Sequence, residues 1–494
     1  MRLTWQETLR PAAADARLVA GAAVFLGLLA AAGVLLSQAA WQPLAALAAL
    51  GLLWLALARP EVGLAMLVFV VYTRAGDVLE KFHGVPSFVL PLALLLLAAL
   101  AWRWWFGGER VHDWEETAVL FGVYALVGFS SLLYAADPGR TQVALYALAK
   151  NGVLLFVVFL AVRHRRALRH TVWALIAAGI FMGTLTVYQQ LTGTLENPYW
   201  GFAQTEVKNI VGSVFDYRVA GPVGSTNYYA MILVMLVPVA LDRAWHERRR
   251  GLRLAALWAL GVCVLSVVFT FSRGGFVALV VVLLLMLARE LFSPRRLLIG
   301  GLLLVVVWQF LPANYTGRLA TTLDLLPGGD GDARSEVSFR GRTSEVLVAW
   351  QIFVDHPLLG AGLNNYKTFY QAYAQPLGWD NRREERSAHN LFLETAAETG
   401  LLGLAAFGAL LVAAWRGAGR ARRQFMRRGR YDEAEMSRAL AVGLVGFLVA
   451  SLFLHGSYLR YFWLWLGVLL ALPHVAALAA PRPAAAVEAD GHVD

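Results

Sequence analysis

One histidine, two arginines and a pair of glutamates lie where polar and apolar stretches of this sequence meet. His389, followed by Asn390, stands between the longest polar segment, 313–390, and an apolar run that starts at Leu391. A neutral imidazole there can take a proton from a hydroxyl at ordinary pH. The other reading is a helix-start histidine that bonds only locally. Arg218 comes just before Gly221, Pro222 and Gly224, which force tight turns. Ser225 or Thr226 is placed to cap the helix that follows. Arg218 reads either as a functional cation or as an ordinary interfacial arginine. Arg273 lies in Phe271-Ser272-Arg273-Gly274-Gly275-Phe276, between two apolar runs with almost no loop between them. Glu394 and Glu398 are one helical turn apart at the head of the run after His389. They either complement a helix N-terminus or orient His389 and the arginines.

A membrane must position these groups. The chain has 494 residues, 59% hydrophobic and 15% charged, with a mean hydropathy of +0.57, more apolar than a soluble domain needs. Runs of the length that spans a bilayer as a helix lie near 18–36, 40–58, 62–73, 86–102, 117–134, 142–162, 171–191, 227–241, 254–271, 275–288, 297–312, 391–415, 438–454 and 459–478. They predict an all-α polytopic membrane protein with 12–14 transmembrane helices; the short 62–73 run is a span or a re-entrant segment. No small-residue cleavage site follows the first run, so it reads as a retained helix. The single cysteine, Cys263, lies mid-run and allows no intrachain disulfide.

The net charge of +10 is not a nucleic-acid surface, because it is dealt to alternate loops. Arginines cluster at 163–169, 243–253, 289–296 and 416–430. The positive-inside rule puts those loops, and both termini, in the cytoplasm. The loops between, 192–226, 272–274, 313–390 and 455–458, then lie outside. The organisation expected is N-terminal transmembrane helices in 1–191, a periplasmic loop at 192–226, helices with an outer arginine turn in 227–312, a large helical periplasmic loop at 313–390, C-terminal helices in 391–479 and a disordered cytoplasmic tail at 480–494. On this topology Arg273 is on the side where a topogenic arginine is not needed. It is therefore a functional candidate, with snorkelling to lipid headgroups as the alternative.

In the large outer segment, Asp330 and Asp332 lack a completing ligand pattern, so no metal and no cofactor are expected. From Arg342, the residues Val346, Leu347, Trp350, Phe353 and Val354 form one apolar stripe at helical spacing. This predicts an amphipathic helix on the membrane surface or on the bundle, ended by Asp355-His356-Pro357. Lys150 and Asn151 interrupt an apolar run and are expected to face the bundle interior.

Four motifs then resemble the O-antigen ligase/polymerase family. They are Arg218 through Asn227; Ser272-Arg273-Gly274; Arg342 with its stripe and His356-Pro357-Leu358-Leu359-Gly360-Ala361-Gly362; and Ala388-His389-Asn390-Leu391-Phe392-Leu393 with Glu398-Thr399-Gly400. They stand in the family's order over about 210–405. Ser225-Thr226-Asn227 departs from it, since a Pro-Asn pair is commoner there. The resemblance implies a bacterial inner-membrane glycosyltransferase of GT-C-like helical architecture with a periplasmic active site. It also implies an undecaprenyl-pyrophosphate-linked glycan as donor. A ligase passes the glycan to a lipid A-core acceptor; a polymerase, the alternative, passes it to another carrier-linked repeat. By resemblance, His389 is the general base, Arg218 and Arg273 hold the donor pyrophosphate, and Arg342, Glu398 and Asn390 support them. Arginine forks can neutralise phosphate oxygens without a metal, and direct displacement inverts the anomeric centre. A lipid-linked sugar transporter is the further alternative, although the chain shows no paired halves.

Overall fold

A computed structural model describes residues 59–107, 114–211, 214–288, 337–378, 384–455 and 459–479, with isolated positions between 50 and 58. The apolar runs at 18–36 and 297–312, most of 40–58, the Asp330/Asp332 stretch and the tail from Ala480 lie outside the described residues. Every other apolar run is helical. The helices are α1 (Pro60–Tyr72), α2 (Ala75–His83), α3 (Val89–Gly107), α4 (Trp114–Ser130), α5 (Pro138–Ala161), α6 (Arg165–Leu191), α7 (Thr226–His246), α8 (Arg250–Phe269), α9 (Arg273–Leu287), α10 (Val337–Asp355), α11 (Tyr366–Leu377), α12 (Leu391–Arg427), α13 (Tyr431–Ala450) and α14 (Arg460–Leu478). Among the described residues eight helices are long and apolar enough to cross a membrane, or nine if α1 and α2, which meet at 56°, form one broken span. The chain is an all-α polytopic membrane protein. Among the described residues the one departure is a hairpin, β1 (Gln204–Val211) and β2 (Val214–Gly221), paired antiparallel with Arg218 opposite Glu206.

The buried helix α7 is the centre, with α8, α9 and α13 packed on it. Lipid tails are as apolar as leucine, so close packing and small residues decide how such helices associate. A Cβ on Gly183 of α6 would come within 2.7 Å of Val262 on α8, and one on Gly443 of α13 within 2.3 Å of Trp465 on α14. At one end of the bundle the predicted basic loops at 163–169, 243–253 and 416–430 converge, while 289–296 lies outside the described residues. Arg243, fully buried, bonds Asp242 at 2.7 Å and Asp432 at 2.7 Å, Arg169 bonds Glu247 at 2.5 Å, and Arg165 pairs with Glu433. The Arg273 turn and His389 lie at the other end.

The outer helix α10 is rotated from what its hydrophobic stripe suggests. Ser344, Glu345, Val348, Ala349 and Ile352 face inward, whereas Val346, Trp350 and Val354 are exposed, Trp350 to 54%. Of the two settings open to the stripe, it takes the one turned away from the bundle. The polar partners of Glu345 hold the other face inward.

Candidate active site

Asn390 sets the start of α12. Its Oδ1 accepts from the backbone N–H of Phe392 and of Leu393, each at 3.0 Å, so the helix begins there. Its Nδ2 donates to the Leu452 carbonyl at 3.2 Å, joining the turn after α13. His389 is left just outside the helix with φ 46°. That left-handed backbone costs a histidine about 1–3 kcal/mol and persists only where its surroundings dictate it.

Those surroundings centre on Glu345. Its carboxylate is 0% exposed. One oxygen accepts from Arg386 Nε at 2.8 Å, the other from His389 Nδ1 at 2.8 Å. His389 Nδ1 also lies 3.0 Å from the Ser387 carbonyl. A carbonyl can only accept, so the proton belongs on Nδ1. In the neutral ring Nε2 then carries the lone pair, on a side chain 31% exposed. Glu345 is locked in turn: Tyr366 Oη donates to its backbone carbonyl at 2.8 Å. The carboxylate bonded to His389 is thus Glu345, 44 residues upstream. Of the two glutamates the sequence offered, Glu394 is buried in the first turn of α12. Glu398 is buried too and accepts from the Tyr366 N–H at 3.4 Å.

A backbone crossing holds α10 to α12. Gly400 breaks α12 with φ 61° and ψ −163°. Across the break, the N–H groups of Ala361 and Gly362 donate to the Ala397 and Glu398 carbonyls at 2.8 and 3.0 Å. Those of Leu401 and Leu402 donate to Pro357 and Leu358 at 2.8 and 3.2 Å. The His356–Gly362 and Glu398–Gly400 motifs are therefore two sides of one joint.

Arg273 opens α9. Ser272 caps it by accepting from the Gly275 N–H at 3.3 Å, and Phe271 before it takes φ 52°. Arg218 on β2 is 3% exposed. Its Nε and Nη2 both donate to the Thr270 carbonyl, at 2.9 and 2.7 Å, so it braces the turn from which Arg273 starts. Arg342, one turn before Glu345 on α10, is exposed. Loss of water around its head, then repulsion by Arg273 and Arg386, lowers its pKa, while Glu345 acts the other way. Arg273 and Arg386 thus both lie within electrostatic reach of Arg342, and Glu345, which bonds Arg386, does too. Such an excess of fixed cations suits a phosphate or carboxylate anion.

His455, in the turn after α13, meets the His389 ring edge to face at 5.6 Å and the Tyr228 ring at 5.5 Å. Its buried Nδ1 has no hydrogen-bond partner among the described residues. Burial, and then the nearby charges of His389 and Lys367, push its pKa down to about 3. Sequence reasoning overlooked Glu345, Arg386 and His455. The Arg342-x-x-Glu345 spacing, which puts both residues on one helical turn, was the usable signal for the first.

Residues 255–408 match the family model described as O-antigen ligase. This stretch, from α8 into α12, is similar to an O-antigen ligase domain and lies in a chain of helices long and apolar enough to cross a membrane. It contains Arg273, Arg342, Glu345, Arg386 and His389, and leaves out Arg218 and His455. No curated protein matches the chain.

Proposed function

We propose that the protein is an O-antigen ligase-type, inverting glycosyltransferase that moves a glycan from undecaprenyl pyrophosphate to a lipid A-core hydroxyl at the outer face of the inner membrane. The observation that carries the reading is the hydrogen bond from His389 Nδ1–H to buried Glu345, beside an arginine cluster. Glu345 fixes the tautomer and the plane of the ring, so that Nε2 is the proton acceptor. The acceptor O–H gives its proton to Nε2 as the oxygen attacks the anomeric carbon. The bond from that carbon to the pyrophosphate oxygen breaks on the opposite side, and the electron pair leaves with the lipid pyrophosphate. Negative charge grows on the leaving group, where preorganised cations are most effective. Arg273 and Arg342 are the contacts assigned to it. Arg218, engaged by Thr270, contributes its charge from behind and holds the Arg273 turn. Asn390 caps the helix that carries His389, and Glu398 stays in the joint beneath. No metal or cofactor is invoked. A polymerase would use the same groups on a carrier-linked acceptor.

The test is donor binding and glycan transfer by purified variants. His389→Ala is expected to keep donor binding and to lose about 10²–10⁴-fold in transfer rate. Arg273→Lys keeps the charge but not the fork, and is expected to weaken use of the donor. Normal transfer by His389→Ala refutes the base assignment, and loss of donor binding in that variant moves His389 into the phosphate site.

A further inference from the structure

The transfer step leaves His455 unused, yet two hydrogen bonds fasten its turn to the start of α12. The Leu391 N–H donates to the Ser451 carbonyl at 2.9 Å, and Asn390 Nδ2 donates to that of Leu452 at 3.2 Å. The His389 and His455 rings are thereby held edge to face, their centroids 5.6 Å apart, and the Tyr228 ring of α7 packs on His455 at 5.5 Å. This setting also fixes the tautomer of His455. Its Nδ1 is buried and has no hydrogen-bond partner among the described residues. A buried N–H without an acceptor is rarer than a buried acceptor without a donor, so the proton belongs on Nε2. Charging the ring would put an unpartnered N–H back on Nδ1. Burial opposes that charge, and so do His389 and Lys367 nearby. The half-buried side chain thus keeps one polar group for a ligand, a neutral Nε2–H donor. His389 beside it has the opposite, an Nε2 lone pair.

We propose that His455 is a second contact to the acceptor sugar, donating a hydrogen bond from Nε2 to a hydroxyl next to the one that His389 deprotonates. The assignment rests on His389 being the base of the proposed transfer. Two hydroxyls of one sugar ring, each about 2.8 Å from a ring nitrogen, bridge imidazoles whose centres are 5.6 Å apart. One hydroxyl gives its proton to a lone pair while its neighbour accepts from an N–H, and a hydroxyl can do either. An ionised phosphate only accepts and pairs best with a charged donor. A histidine held neutral therefore suits the acceptor sugar better than the pyrophosphate, which has the arginines.

The full chain, purified in detergent, is assayed with an undecaprenyl-pyrophosphate-linked glycan as donor and lipid A-core as acceptor, each varied in turn. His455→Phe keeps a ring and loses both nitrogens. It is expected to raise the acceptor KM about 3–10-fold, the worth of one neutral hydrogen bond, and to leave the donor KM and kcat unchanged. His455→Gln, whose amide nitrogen can stand where Nε2 does, is expected to restore the acceptor KM. If His455→Phe unfolds early, His455→Asn replaces it. Its shorter amide stands where Nδ1 does, so the same rise in acceptor KM is expected. An unchanged acceptor KM overturns the contact, as does failure of His455→Gln to restore it. A rise in donor KM moves His455 to the phosphate site, and a loss confined to kcat makes it a support for the His389 ring. Either result overturns the acceptor contact. His389→Ala is measured alongside. If it transfers normally, the base assignment fails and the contact with it. If it loses rate while His455→Phe keeps the wild-type acceptor KM, only the contact falls.

Discussion

The base proposed at His389 needs its lone pair aimed and its other nitrogen committed, and one buried residue, Glu345, is placed to meet both needs. A carboxylate with no exposure is costly unless its oxygens are paired, and here Arg386 and His389 take one each. Glu345→Gln keeps the shape and removes the charge. It is expected to cut glycan transfer by about 10²–10⁴-fold, the range for losing a base or the group that orients one, with donor binding unchanged or tighter. Binding of the donor is the discriminating measurement: if Glu345→Gln loses it as Arg273→Ala does, Glu345 serves the phosphate site and not the histidine. His455 gives a pH dependence. Its pKa is about 3 in the folded protein against an ordinary value of about 6.5. A depressed histidine pKa means that the unfolded chain binds the extra proton, so stability is full above about pH 6.5 and erodes as pH falls towards 3. His455→Gln has no such proton to bind. Melting temperatures of the two proteins at about pH 7.5 and pH 5 are expected to converge or cross on acidification; a constant gap refutes the assignment.

Among the elements, the joint between α10 and α12 shows what the glycines are for. A Cβ on Gly360 would lie 2.3 Å from the Glu398 carbonyl carbon, and one on Gly400 2.3 Å from that of Leu358. Both glycines also have positive φ. Gly400→Ala combines backbone strain with a backbone clash, so a loss of at least about 3 kcal/mol is expected. Gly378 is the control: its φ is 65° but nothing lies within 4 Å of an added Cβ. Gly378→Ala is expected to cost only about 1–2 kcal/mol. Unfolding of the two variants in detergent decides it, and equal losses remove the clash from the account. Gly360, the α10 helix and its proline stop were legible in the sequence because turn residues and helical periodicity are local signals, whereas the break at Gly400 falls inside what reads as one apolar span, 391–415. The facing of α10 was not, because hydrophobic spacing finds a stripe without saying whether lipid or protein covers it. The β1–β2 hairpin was missed for a related reason. Phe215-Asp216-Tyr217-Arg218-Val219 does alternate, but the run is short and ends in Gly221-Pro222, so the segment reads as loop. Glu345 and His389 are 44 residues apart, and nothing local links them.

The molecule as a whole is ordered along one axis, and α12 measures it. After its break at Gly400 the helix runs on to Arg427, about 40 Å at 1.5 Å per residue, against a hydrocarbon core of about 30 Å. The His389 end and the Arg416–Arg428 end must then face different compartments. Arginine is dense in the loops at the second end, where Arg165, Arg169 and Arg243 meet acids of α7 and α13 and the turns beside them. Charge of that sign and density is expected in the cytoplasm, and on that basis we propose that His389 and the arginine cluster face outside. Two exposed positions test this. Leu358, 63% exposed, lies in the joint beside the site, and Arg423 is exposed at the far end of α12. The native Cys263 is buried and gives a quiet background. In intact cells a membrane-impermeant maleimide is expected to label Leu358→Cys and to reach Arg423→Cys only after permeabilisation. The reverse pattern would put His389 in the cytoplasm, leaving the acceptor of a periplasmic transfer on the wrong side of the membrane, and the proposed reaction would fall with the orientation.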